Sequence, residues 1–168
     1  MDLVVIGAGT IGAACAYYAA RAGLSVAVVD RGPVAGGTSG SGEGNLLVSD
    51  KEPGPELELA RMSLALWGEL AQVLPEDVEF ESKGGIVVAE DGEQLSLLRK
   101  FAAAQERAGV TVEEVGADGL RDREPRLAPG LAGGFHYPED AQVQPARAAP
   151  ALCEGRSWSR IHASVMTP

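Results

Sequence analysis

The first thirty residues constrain the fold more than any other part of the chain. Leu3–Ile6 form an apolar run rich in β-branched side chains, which predicts a strand buried on both faces. Glycines follow at G-x-G-x-x-G spacing, and an alanine-rich helix is predicted over residues 13–21, with Gly23 at its end. A second buried strand is predicted over residues 25–29. This order of elements predicts a βαβ unit with parallel strands, and so an α/β fold.

The glycine spacing also predicts a dinucleotide site at the turn. Gly7 permits a tight turn, Gly9 lets the backbone approach a pyrophosphate, and Gly12 lets helix and strand pack closely. The helix N-terminus offers N–H groups and a partial positive charge to phosphates, and Asp30 can accept hydrogen bonds from ribose hydroxyls. A glycine-rich turn without a ligand is the alternative interpretation. The predicted contacts in this region are Gly7, Ala8, Gly9, Thr10, Ile11, Gly12, Asp30 and Arg31.

A second glycine-rich segment, residues 31–45, follows Asp30 directly. Its backbone N–H groups and the hydroxyls of Thr38, Ser39 and Ser41 could press against a large ligand. The alternative is a surface linker. We favour a ligand loop because the segment begins where a nucleotide should lie.

Composition narrows the classes of function. The net charge of −10 argues against non-specific binding to nucleic acid or anionic membranes. No segment approaches the length of a membrane span, and Cys15 and Cys153 form no metal or redox spacing. Cys15 is expected to be a small buried thiol. The absence of a disulfide framework favours a reducing compartment, and we expect a cytoplasmic protein without a metal site.

The rest of the chain alternates helical and strand patterns. Trp67 is expected in the core, and His136 is expected to be a partly buried strand histidine. Glu139 and Asp140 follow Pro138 in a turn and are expected to be exposed. No residue is assigned a catalytic role. Helices are predicted over 55–74, 94–108, 117–124 and 146–152, and strands over 79–82, 85–89, 110–115 and 131–137, the first two joined by a Lys83-Gly84 turn.

Four stretches resemble the FAD-dependent amino-acid and amine oxidoreductases, a family that includes D-amino-acid oxidase, glycine oxidase and sarcosine oxidase. They are residues 5–12 with Asp30-Arg31, 37–46, 84–89 and 120–145. The resemblance implies FAD as cofactor and a small amine or amino-acid substrate. It implies hydride transfer from a CH–NH or CH–NH2 group to flavin N5, followed by hydrolysis of the imine. It also places Thr38, Ser39, Gly44 and Asn45 in a flavin-contacting loop.

The resemblance further implies a Rossmann-like FAD-binding domain and part of a mixed α+β substrate domain. Residues 1–80 correspond to the first, 81–145 to the second, and 146–168 to a return helix and an aberrant tail without a sustained period. Because chains of the family are considerably longer, we expect a truncated chain that is not a competent amine oxidase alone. Asp30 stands where the family commonly has Glu, which leaves an NAD-dependent dehydrogenase as one alternative. A non-catalytic dinucleotide-binding remnant is the other.

Overall fold

The computed structural model describes residues 1–74 and 78–154, and the backbone of residues 161–165. The chain forms two compact units that alternate along the sequence. The first unit comprises Met1–Gly44, Trp67–Phe80 and Val143–Pro168, and the second comprises Asn45–Leu66 and Glu81–Gln142. Residues 45–66 therefore group with the second unit, whereas the sequence pattern had placed them in the first domain.

The first unit contains the predicted βαβ unit. Strand β1 (Leu3–Ile6) leads into helix α1 (Thr10–Arg21) and then into strand β2 (Val26–Asp30), which pairs parallel to β1. Small side chains of α1, among them Ala16 and Ala20, pack against Val26 and Val28 of β2. The predicted α/β fold is confirmed.

Two glycines fix the ends of α1. A Cβ atom on Gly12 would overlap the carbonyl oxygen of Gly7, so glycine is what lets the helix pack this closely. At the other end Gly23 has a φ of +94°. Its N–H donates to the Ala20 oxygen at 2.9 Å, and the Leu24 N–H donates to the Ala19 oxygen at 3.1 Å. This is the Schellman arrangement that ends many helices.

Strand β1 is not buried on both faces, and that prediction is wrong. Val5 packs on the side of the sheet that α1 covers. Strand alternation turns Val4 and Ile6 to the opposite side, where their side chains are 57% and 87% exposed. Within the described ranges, no element buries these two side chains, so the β-branched composition alone overstated the burial of the strand.

The C-terminal part of the chain is more regular than its sequence suggested. Helix α5 (Pro145–Glu154) extends beyond the predicted end, and strand β8 (Ile161–Val165) pairs parallel to β2 to give the strand order β1-β2-β8. The expectation of an aberrant segment is therefore wrong for the backbone of 161–165. A strand of five residues is too short to show a clear period. Residues 155–160 and 166–168, also part of that tail, lie outside the described residues.

The second unit is built on antiparallel strands. Strands β4 (Gly85–Ala89), β5 (Glu113–Gly116) and β6 (Gly133–Tyr137) form a sheet in the order β4-β6-β5. Strands β3 (Asn45–Leu46) and β7 (Ala141–Gln142) form a separate two-stranded ribbon. The helices of this part of the chain are α2 (Pro55–Val73), whose last residues belong to the first unit, α3 (Gly92–Arg107) and α4 (Ala117–Arg123).

The predicted hairpin of strands 79–82 and 85–89 is wrong. Strand β4 pairs with β6, which lies more than forty residues further along the chain. Of the segment 79–82, Glu81 alone forms a β-bridge, and its partner is Gln142. Glu79 has a φ of +53°, which is incompatible with a continuous strand.

Several side chains lie elsewhere than predicted because helical spacing was read too generously. In α2, Leu57 and Trp67 are buried as expected, but Leu59, Met62 and Leu66 are exposed. These three lie on the opposite side of the helix from Leu57 and Trp67. Cys15 is exposed too. It lies between the buried positions 13 and 16 of α1, on the part of the helix that faces away from the core.

A buried polar network joins three parts of the second unit. Asp140, predicted to be exposed, is only 1% exposed, and its Oδ1 accepts the Val48 N–H at 2.8 Å and the Ser49 N–H at 3.2 Å. Gln105 donates from Nε2 to the Val48 oxygen at 2.9 Å and accepts the Tyr137 hydroxyl at 2.8 Å. Burial, with the nearby negative charges of Asp140 and Glu106, raises the pKa of Tyr137 to about 12 and keeps the hydroxyl a donor.

Replacing Asp140 by alanine is expected to lower the free energy of unfolding by about 2–4 kcal/mol, because two buried N–H groups lose their acceptor. Asp122→Ala, which removes an exposed carboxylate from α4, should change it by no more than about 0.5 kcal/mol. Urea unfolding followed by circular dichroism measures both. Equal stability of Asp140→Ala and wild type would contradict the structural role given to the network.

Candidate dinucleotide site

The candidate site lies where β1 and β2 end and α1 begins. Gly7 turns out of β1 with a φ of +110°, and its N–H donates to the Val29 oxygen at 2.8 Å. Gly9 is the N-cap of α1 and, lacking a side chain, makes no capping hydrogen bond. The N–H groups of the first helical turn have no acceptor within a helix. The turn therefore presents donors and the positive end of the helix dipole to an anion.

Ser39 is the side chain that reaches this helix N-terminus. Its Oγ accepts the Thr10 N–H at 3.0 Å. A Cβ atom on Gly9 would lie 2.9 Å from the same oxygen. The second glycine-rich segment thus folds back onto the glycine turn, and its hydroxyl lies where a phosphate oxygen would be expected.

Asp30 links the glycine turn to the loop that follows β2. Its Oδ2 accepts the Ala8 N–H at 2.6 Å, and its Oδ1 accepts the Gly32 N–H at 3.0 Å. These hydrogen bonds, with that from Ala8 the stronger, lower the pKa of the Asp30 carboxyl. A carboxylate has about four lone-pair sites, so two acceptor positions are left for other donors such as ribose hydroxyls.

The segment after Asp30 is a series of turns rather than an extended linker. Ala35 has a φ of +60°, and its N–H donates to the Ala8 oxygen at 3.0 Å. The Gly36 N–H donates to the Pro33 oxygen at 2.9 Å, and the Ser41 N–H donates to the Thr38 oxygen at 3.2 Å. This folded arrangement supports the ligand-loop interpretation.

A cavity of about 370 Å³ lies between the glycine turn and this loop. Six of the predicted contacts line it: Ala8, Gly9, Asp30, Arg31, Thr38 and Ser39. The remaining predicted contacts that belong to the turn and the first turn of α1 stand beside it, namely Gly7, Thr10, Ile11 and Gly12. The sequence pattern did not single out five further lining residues, although their glycine-rich composition had marked the segment: Gly32, Pro33, Ala35, Gly36 and Gly37.

Gly44 and Asn45 are not among the residues that line this cavity. The Gly44 oxygen accepts the Val143 N–H at 2.9 Å. Asn45 is in β3 of the second unit, in register with Gln142. Their predicted contact with a flavin therefore stays a prediction.

Outside this cavity, one group of ionisable side chains stands out in the second unit. Glu113 accepts the Arg123 guanidinium at 2.9 Å and lies 3.1 Å from Nδ1 of His136, and the hydrogen bonds to His136 and Arg123 lower its pKa. His136 is partly buried in β6, as predicted. No group of His, Cys, Asp and Glu side chains suited to a metal ion occurs in the described part of the chain. Across residues 1–74 and 78–154, no helix combines the length and the apolar content needed to cross a bilayer.

Comparison with known proteins identifies the family to which this geometry is similar. Residues 2–156 match the DAO family, described as FAD dependent oxidoreductase. Glycine oxidase of Geobacillus kaustophilus is 31% identical over 158 residues, which is 90% of this chain and 42% of that protein. The anaerobic glycerol-3-phosphate dehydrogenase of Escherichia coli K12 has one subunit that is 30% identical, over 87% of this chain and 26% of its own.

The fold is similar as well. The crystal structure of the Geobacillus kaustophilus glycine oxidase superposes with a TM-score of 0.89 and 28% identity, covering 98% of this chain and 46% of that one. The chain therefore spans less than half the length of these relatives.

Stability should depend on pH through Asp30. Because its pKa is lowered in the folded state, ionised Asp30 stabilises the fold above its ordinary pKa of 3.8, and this contribution is lost as the pH falls through the lowered value. Urea unfolding of wild type and Asp30→Asn should give a difference that is constant from about pH 5 to 8 and shrinks below about pH 4. A difference that grew on acidification would contradict the hydrogen bonds assigned to the carboxylate.

Proposed function

The chain belongs to the family of FAD-dependent oxidoreductases, and we propose that the cavity of its first unit holds the ADP part of FAD. One observation carries the proposal: the N-terminus of α1 and the Asp30 carboxylate line or adjoin the same cavity. An adenosine diphosphate needs an anion site and a ribose acceptor a few ångströms apart, and these two groups have that chemistry.

The residues of the cavity fit the group. The pyrophosphate is placed at the first turn of α1, where Gly9 leaves space because it has no Cβ. The ribose hydroxyls are placed at the acceptor positions that Asp30 does not use for Ala8 and Gly32. The Ser39 hydroxyl, already bonded to the Thr10 N–H, is placed to share that donor or to bond a phosphate oxygen itself.

For the reaction, we propose oxidation of a CH–NH or CH–NH2 group of an amino acid or secondary amine by the protein to which this unit belongs. Bound FAD would supply the hydride acceptor. The similarity to glycine oxidase supports the amine substrate. The similarity to a protein named glycerol-3-phosphate dehydrogenase makes a hydroxyl substrate the competing choice. The residues described here bind and orient the cofactor, and none is assigned to catalysis.

The family match favours FAD over the NAD alternative. A unit that binds the dinucleotide without turnover is the alternative that binding experiments must separate from an enzyme. The two cysteines are free, which supports a reducing, cytoplasmic location.

The first experiment is a calorimetric titration of the purified chain with ADP and with FAD. We expect one ADP site for each chain. Gly9→Val should abolish measurable binding, because the added side chain intrudes where the pyrophosphate lies. Gly92→Val, at the start of α3 with open space around it, should bind like wild type. Wild-type affinity in Gly9→Val would show that the glycine turn is not the site.

A second variant tests the ribose contact. Asp30→Ala should weaken ADP binding by roughly tenfold to a hundredfold, because a charged acceptor is lost. The matched control is Asp122→Ala, which should leave the ADP dissociation constant unchanged. An unchanged dissociation constant for Asp30→Ala would remove this residue from the site.

The reaction class is tested by the flavin spectrum of the FAD-loaded protein. Anaerobic addition of glycine or sarcosine should bleach the flavin absorption if the substrate is an amine. Bleaching by glycerol-3-phosphate and not by amines would favour the hydroxyl substrate. No bleaching by either, with FAD bound, would identify a passive binding unit.

A further inference from the structure

We propose that the open edge and outer face of β1 form a docking surface for a second polypeptide, one that carries the part of the family fold lying beyond the matched segment. The outer face is defined by Val4 and Ile6 of β1 with Ala27 and Val29 of β2. These residues are paired in the strand register as Val4 with Ala27 and Ile6 with Val29.

The outer face is apolar and open. Ile6 is 87% exposed and Val4 is 57% exposed, while Ala27 and Val29 are half-buried. Sheets made of parallel strands are normally covered on both faces. Here both strand pairings are parallel, and α1 packs on the face of Val5, Val26 and Val28 alone. The outer face therefore has the composition of a buried surface without a layer over it.

The edge of β1 is open too. Among the strands of the described chain, β2 is the partner of β1. Edge strands of stable proteins usually carry lysine, proline or a bulge that prevents further pairing. Leu3–Ile6 contain none of these. The edge is thus suited to accept another strand through main-chain hydrogen bonds.

The size of the relatives indicates the partner. The Geobacillus kaustophilus glycine oxidase contains the whole of this fold, with a TM-score of 0.89 over 98% of this chain, but this fold is only 46% of that protein. The remainder of that relative is thus a polypeptide that accompanies this fold in one protein. A second copy of this chain is less suited, because each copy carries a net charge of −10.

The test is co-expression of the affinity-tagged 168-residue chain with the part of Geobacillus kaustophilus glycine oxidase that lies beyond the aligned segment. Light scattering coupled to size exclusion should show a complex of one copy of each. Its mass should exceed the 17.4 kDa of this chain by the mass of one partner. The double variant Val4→Lys with Ile6→Lys should weaken the complex at least about tenfold, because two apolar side chains lose their burial.

The control is Leu97→Lys, which places the same charge on another exposed apolar position, in α3 of the second unit. It should leave the complex intact. Thermal unfolding of the double variant alone should match that of wild type, since both replaced side chains are largely exposed. Absence of a complex, a complex insensitive to the double variant, or a homodimer of this chain would each overturn the proposal. Complex formation without ADP binding would sustain it while removing the proposed function.

Discussion

The site depends on the two hydrogen bonds that the Asp30 carboxylate accepts from the main chain. Asp30 ends β2, Ala8 belongs to the turn after β1, and Gly32 begins the loop that lines the other side of the cavity. One side chain therefore holds the walls of the cavity at a fixed separation. Because both bonds involve a charged acceptor, they are stronger than ordinary amide bonds, and they keep the carboxylate ionised.

Small residues make that arrangement possible. Glycine at position 12 brings α1 against the turn at Gly7, where any Cβ would overlap a carbonyl oxygen. Ala16 and Ala20 let the helix lie close to Val26 and Val28. The helix N-terminus is thereby brought to the edge of the cavity, beside the acceptor provided by Asp30. Fold and binding chemistry are consequences of the same short stretch of sequence.

What the sequence could predict was mainly local. The glycine turn, α1 and Asp30 are adjacent in the chain, and their spacing alone implies the βαβ unit. Burial of Asp140 could not be predicted, because its partners Val48 and Ser49 are some ninety residues away. The pairing of β4 with β6 was hidden for the same reason. Composition also could not predict that Ile6 would be exposed, since that depends on which elements pack against the strand.

The two units differ in what holds them together. In the first, alanine and valine side chains pack between a helix and a parallel sheet. In the second, a larger apolar cluster surrounds Phe135 and Tyr137, and the amide of Gln105 ties the Tyr137 hydroxyl to the backbone at Val48 and Lys51. Buried polar groups with satisfied hydrogen bonds restrict a core to one arrangement. The second unit therefore owes its geometry to long-range contacts, and the candidate site owes its geometry to short-range ones.

The central claim is that a dinucleotide binds between the glycine turn and the loop after β2. Titration of the isotope-labelled chain with ADP, followed by amide resonances in two-dimensional NMR spectra, tests it residue by residue. We expect saturable shifts at Ala8, Gly9, Gly32 and Ser39, with the second unit unchanged. Shifts confined to other residues, or none at millimolar ADP, would contradict it.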